Sequence, residues 1–161
     1  MLPADSPADS SLRRALVLWL YAAALGHLLV AGVLTWAAGH PLLEGYLLSV
    51  EQAFWSSAAP AAARSQQIWW LNLFGATLQS YSLFLLALVH LGHRLRSATA
   101  WAWLMAGILL WAPQDMWISW QARMTSHLWL DSLALLTLLP PLLWLYRHDR
   151  RPSTLKGPLR G

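Results

Sequence analysis

The sequence predicts an all-α fold: a four-helix transmembrane bundle with an amphipathic interfacial helix in its first outer loop. Three observations carry this. Only 11% of the 161 residues are charged, against about 25% in an ordinary soluble domain. Hydrophobic residues make up 57% of the chain and its mean hydropathy is +0.42. The charges that exist cluster between four long apolar runs, as in a multi-pass membrane protein.

Residues 1–12 are polar, with Pro3, Asp5, Pro7 and Asp9, and read as a disordered N-terminal tail. A membrane domain over 13–146 follows. Its first helix, about 15–38, comes after Arg13-Arg14 in a stretch without charge as far as Glu44. At 1.5 Å per residue it is long enough to cross about 30 Å of hydrocarbon. It exceeds the roughly 7–15 apolar residues of a secretion signal, so a retained helix is expected.

In the loop from His40 to Gln67, Leu42, Leu43, Tyr46, Leu47, Val50 and Phe54 recur at helical spacing, with Glu44, Ser49, Glu51 and Gln52 between them. That pattern describes a helix lying in the membrane interface. A lid folded over the helices is the competing reading. The second span is about 68–91, the third about 98–119 and the fourth about 127–146, the last containing Asp131 and Pro140-Pro141. Residues 147–161 form a basic C-terminal tail, expected to be unstructured and to lie against anionic headgroups. No internal repeat is present, and the helices make one domain.

Charge sets the orientation. Arg13 and Arg14 precede the first helix, Arg94 and Arg96 join the second to the third, and Arg147, Arg150, Arg151, Lys156 and Arg160 follow the fourth. Only Arg64 and Arg123 fall on the other side. Both termini are therefore expected in the cytoplasm. The excess of arginine over lysine, with abundant Ala, Leu and Trp, points to a GC-rich bacterial genome and so to an inner membrane. The twelve tryptophans support the layout: Trp36, Trp55, Trp69, Trp70, Trp117, Trp120 and Trp129 fall near the outer interface, Trp101, Trp103 and Trp144 near the inner one. Indole favours both zones.

Polar residues within the spans are the candidates for function. Pro113, Gln114 and Asp115 interrupt the third helix. Proline removes a backbone donor and frees the carbonyl of Leu109, so a kink is expected to turn Gln114 and Asp115 inward. Asp115 lies about 26 Å along its helix and Asp131 about 6 Å into the antiparallel fourth helix, which places them at similar depth near the outer boundary. His127, four residues before Asp131, shares its face. Asp115, Asp131, His127, Asn72 and Gln114 thus form a candidate polar pocket. Asn72 also shares a face with Gly75, Ala76 and Gln79, a combination suited to close helix contact in lipid. His27 falls near the midplane and His90 near the inner end. The plainer reading is that the acids are wetted at helix ends or complement a helix dipole, and that the amides are packing groups.

Several chemistries are excluded or unsupported. The chain has no cysteine, which removes disulfides, thiolate metal sites and thiol nucleophiles. Its net charge of +4 flanks the apolar runs and forms no phosphate-reading patch, so nucleic acid is not an expected partner. There is no metal-binding or nucleotide-binding motif and no histidine pair suited to haem, so no metal or cofactor is expected. Ser126, His127 and Asp131 are close in sequence, but neighbours on one helical turn point in different directions, so a serine triad is not expected. The expected role is a non-enzymatic accessory or interaction subunit of a membrane complex, joining another membrane protein or a second copy through the small-and-amide face. The alternative is a small carrier or lipid-acting enzyme built on the outward-facing pocket. The lipid bilayer is a partner in either case.

Overall fold

The computed structural model describes residues 7–150 and is all-helical. Among these residues are five α-helices: α1 (Pro7–Ala37), α2 (Glu44–Phe54), α3 (Ala61–Leu95), α4 (Ala98–Gln121) and α5 (Thr125–Asp149), with a single 3-10 turn over Pro41–Leu43. Three are long and apolar enough to cross a membrane: α1 from Asp9 to Ala37, α3 and α5. α4 has the length, but Pro113, Gln114 and Asp115 interrupt its apolar run.

The antiparallel partners are α1 with α3 and α4 with α5; α3 also meets α4, and a sparser seam between α5 and α1 closes the ring. The buried stripe of α1 shows why. Arg13, Val17, Leu20, Ala24 and Ala31 are all buried, at steps of three, four and seven that keep them on one face. Toward the basic end the core is built from large side chains: Val17 and Leu20, Val89, Trp101, Leu104 and Ile108, then Leu142 and Leu145. Toward the other end small residues let the backbones approach. A Cβ added to Gly75 would lie 2.6 Å from the Thr35 backbone nitrogen, so only glycine fits between α3 and α1. Gly92 plays the same part for an indole, since its added Cβ would lie 2.8 Å from the Trp101 ring.

The connections are short. Arg96 caps α3 in the left-handed region (φ 48°) with its N–H on the Gly92 carbonyl, and the Ser97 hydroxyl then accepts from Ala100 N to open α4. Arg123 (φ 58°) turns the chain from α4 into α5. Outside the ring the surface is apolar: Leu29, Leu110, Leu130 and Leu136 are exposed, and Trp36 and Trp129 stand out at 85% and 77% exposure.

Two expected tails are partly helical. α1 begins at Pro7, within the stretch expected to be disordered. Proline suits a first helical turn, Asp9 complements the helix dipole there, and Arg13 ties the segment to α5. At the other end α5 continues through Arg147 and His148 to Asp149; these residues belong to the folded unit. Residues 1–6 and 151–161, and the expectations made for them, lie outside the described residues. α3 starts earlier than expected because Arg64, in its first turn, pairs with Glu51 and Glu44 of α2. α4 runs through Pro113 without interruption. Two prolines inside α5 are accommodated in a specific way. Pro141 leaves the carbonyl of Thr137 without its helical donor, and the indole N–H of Trp19 on α1 donates to that carbonyl at 3.0 Å.

Candidate functional site

At the acidic end, α2 folds over the tips of α4 and α5. The Tyr46 ring stacks on His127 (5.8 Å between centroids, 22° between planes). Asp131 lies one turn deeper on α5, 5% exposed, with Oδ2 buried and without a hydrogen-bond partner. Its titratable neighbours are Asp115 and His127. Asp115 on α4 is half-buried and accepts from the Ser119 hydroxyl at 3.4 Å. Burial, and next the Asp115 charge, hold the Tyr46 phenol above its usual pKa. Beside this group an open groove of about 380 Å³ runs between α2 and the α4–α5 turn, with Gln52, Arg123 and Ser126 on its walls.

α2 is held down at its other flank by Arg64. The guanidinium donates to Glu51 Oε1 at 2.6 Å and to Glu44 Oε2 at 2.9 Å. Leu47 is buried beneath the helix. Interfacial pattern and lid-like placement are both features of this one element.

Of the five candidate pocket residues, the structure brings together Asp115, Asp131 and His127. The other two lie elsewhere. Gln114 is exposed and its amide donates to the Leu110 carbonyl of its own helix at 2.6 Å; the helical period puts it on the same outward face as Leu110, and the continuous helix does not turn it inward. Asn72 faces α1. With its nitrogen toward that helix it donates to the Leu34 and Thr35 carbonyls at 3.1 and 3.3 Å. The candidate packing face is divided in a similar way. Gly75 meets α1 directly, and Gln79 donates to the Thr35 hydroxyl at 2.7 Å. Ala76 is exposed. The face expected to receive a second protein is therefore mostly occupied by α1 of the same chain. His27 donates to the Ala23 carbonyl at 2.8 Å, and His90 meets the Tyr21 hydroxyl at 3.1 Å.

A second polar group, at the basic end, was not singled out by the sequence reading. The Asp149 side chain is fully buried. Arg13 grips it with two contacts of 3.1 and 2.9 Å, Trp101 Nε1 donates to it at 2.9 Å, and His148 Nδ1 lies 3.1 Å away. Arg13 also reaches the His93 ring and backbone carbonyl. The carboxylate thus links α1, α4 and α5, Arg13 extends the group to α3 through His93, and Trp101, expected in the interfacial belt, is a core residue. The signal was there to read: Arg13 is in phase with Val17 and Leu20, and Asp149 with Leu142 and Leu145.

Chemically, the acidic end offers two carboxylates and an imidazole, groups that can exchange a proton. Among the described residues no three His, Asp or Glu side chains group as a metal site. The chain matches no family model, no curated protein and no solved structure.

Proposed function

We propose that the chain is a four-span protein of the bacterial inner membrane, with α4 as the fourth span and both termini cytoplasmic, and that it works as a non-enzymatic accessory subunit. Its partner is another membrane protein or a second copy of itself. The observation that carries this reading is the outward flank of α3. Ala76, Thr77, Ser80 and Tyr81 are exposed there, among lipid-type neighbours such as Leu73, Phe74 and Phe84. They lie at the middle of a helix that runs from Ala61 to Leu95; the Thr77 hydroxyl donates to the Leu73 carbonyl of the same helix at 3.1 Å, whereas Ser80 and Tyr81 are exposed where hydrocarbon offers nothing to a hydroxyl. Small and hydroxylated residues at such a depth are what helix association in lipid uses.

The test is native mass spectrometry of the full chain taken from its membrane in mild detergent, with and without the paired substitution Ala76→Leu and Ser80→Leu. The expected result is a stoichiometric second polypeptide on the wild type, absent from a variant that keeps its helix content and melting temperature. A wild type that is a lone monomer, or a variant that keeps its partner, overturns the reading. Cysteine accessibility from either side of the membrane at Ser57, Ser97 and Ser126 tests the topology: Ser97 should be reached only from the cytoplasm.

One observation favours the alternative, a small carrier or lipid-acting protein with an outward polar pocket. Asp131 Oδ2 is buried and unpartnered beside Asp115, and intramembrane acids of this kind mark ligand or proton sites. A small molecule found on the wild type and absent from Asp131→Asn would support it. A wild type that carries none would count against it.

A further inference from the structure

α4 buries one face and turns the opposite face away from the molecule. Leu104, Ile108, Ala112 and Ser119 are buried on the first. On the second, Trp103, Gly107, Leu110, Gln114, Trp117 and Gln121 follow one another at alternating steps of four and three. That spacing is the seam of a paired helix, and helical geometry keeps all six on one flank. Gly107 is half-buried and the other five are exposed. We infer that this seam pairs α4 with the α4 of a second copy of the chain, in parallel, about a two-fold axis along the membrane normal. The inference rests on the reading of α4 as the fourth span and makes no use of the α3 flank.

Gln114 is the hydrogen-bonding group within the seam. Its amide nitrogen donates to the Leu110 carbonyl of its own helix at 2.6 Å. That contact bends the side chain back along α4, the direction in which long helical side chains lean, and away from the tryptophans Trp117 and Trp120 near the helix end. Its second amide N–H and its Oε1 have no partner among the described residues. In hydrocarbon such an amide needs a donor and an acceptor from another helix. Pro113 leaves a further acceptor beside it, because it takes the helical donor from the Leu109 carbonyl. In α5 the corresponding carbonyl, that of Thr137, receives the Trp19 indole. No side chain among the described residues does this for Leu109, since Leu109 and Pro113 both face outward.

Gly107 gives the seam a place of close approach. An added Cβ there would meet nothing within 4 Å, unlike one at Gly75 or Gly92. Packing within one chain therefore does not require a glycine at this position, whereas a helix crossing over the seam does.

The occupant follows from the chemistry of the seam. A carboxamide carries both a donor and an acceptor and is complementary to itself. Two copies inserted the same way bring Gln114 to equal depth by symmetry, so each Oε1 faces the free N–H of the other. The interface is then isologous, the commonest arrangement in homo-oligomers. No seam residue is charged, so the face does not repel its own copy.

The experiment uses the full chain in membranes, with single cysteines placed in a sequence that has none. Leu109 and Leu110 are both exposed and differ in depth by one residue, but only Leu110 is on the seam. Under mild oxidation Leu110→Cys should give a disulfide-linked dimer and Leu109→Cys should not. Association is measured by energy transfer between copies labelled at Ser57→Cys, in vesicles of increasing lipid dilution. Gln114→Leu should weaken it about tenfold, Gln114→Asn should retain most of it, and Gly107→Leu should abolish it, with helix content unchanged in all three. The pair Ala76→Leu and Ser80→Leu should leave it intact. The inference is overturned if both cysteines link equally, if Gln114→Leu and Gly107→Leu associate like the wild type, or if Leu110→Cys links only to a different polypeptide. Labelling of Ser97→Cys and Ser126→Cys from the same side of the membrane would remove the α4 span and this inference together. Labelling from opposite sides, with no Leu110→Cys dimer, would leave the span standing and overturn the seam alone.

Discussion

Replacing Gly75 by alanine adds one methyl group where α3 and α1 are closest. That carbon would sit 2.6 Å from both the backbone nitrogen and the hydroxyl oxygen of Thr35, and 2.9 Å from the Ala31 carbonyl. Two of the three obstacles are main chain, so no rotamer change relieves them and the helices must part. Overpacking of this kind costs about 1–3 kcal/mol. Parting also strains the hydrogen bonds that Gln79 and Asn72 make to α1, each worth about 0.6 kcal/mol in a membrane protein. The expected loss is about 2–4 kcal/mol. Gly26 and Gly32 are the controls, because an added Cβ meets nothing within 4 Å at either position. There, alanine should be neutral or stabilising by up to about 1 kcal/mol. The assay is reversible unfolding in mixed micelles of rising dodecyl sulfate fraction, read by tryptophan fluorescence. If Gly75→Ala unfolds at the same fraction as Gly26→Ala, the close approach of α1 and α3 does not stabilise the protein and the packing argument fails.

Three further predictions use other contacts. Asp149→Ala should destabilise by about 3–5 kcal/mol, because it leaves Arg13 buried without its counter-charge; the paired change Arg13→Met and Asp149→Leu should recover much of that loss in the same assay, and no recovery would contradict it. Trp19→Phe should cost about 1 kcal/mol by leaving the Thr137 carbonyl unmade. In a Pro141→Ala background the restored backbone N–H satisfies that carbonyl, so the cost should fall; an unchanged cost in the double-mutant cycle would refute the link. Arg64→Gln should loosen α2, because it removes the ion pairs that tie Glu44 and Glu51 to α3. Since the native chain has no cysteine, a single cysteine at the half-buried Ser49 reports this as faster thiol labelling, and an equal rate would mean that Arg64 does not hold the helix.

The long apolar runs made the helices legible in the sequence. The helix over 44–54 was legible too, because Tyr46, Leu47, Val50 and Phe54 carry its period within a polar loop. The proximity of Asp115, Asp131 and His127 follows from a short turn between antiparallel helices, which spacing alone can express. What could not be read was which neighbour each polar side chain meets. Asn72, Gly75 and Gln79 mark a close contact whether α1 or a foreign helix fills it, and a one-dimensional pattern does not distinguish the two. Gln114 and Asp115 are adjacent, yet the helical period sends one outward and the other toward the ring. Asp149 was hidden among basic residues that serve orientation, and its partners are Trp101 and Arg13, 48 and 136 positions away in the chain. Such pairings belong to the tertiary fold.

That last separation bears on how the molecule is made. Arg13 emerges early and its counter-ion belongs to the final turn of α5, so the α1–α5 seam has no electrostatic latch until nearly all of the described chain has been translated. At about 5–20 residues per second the wait is roughly 7–27 s. During that time the arginine has no counter-ion from α5 and the indole of Trp101 has no carboxylate to meet. A nascent chain that stops short of Asp149 keeps this latch open, so Arg13 lacks the counter-ion that the finished fold gives it.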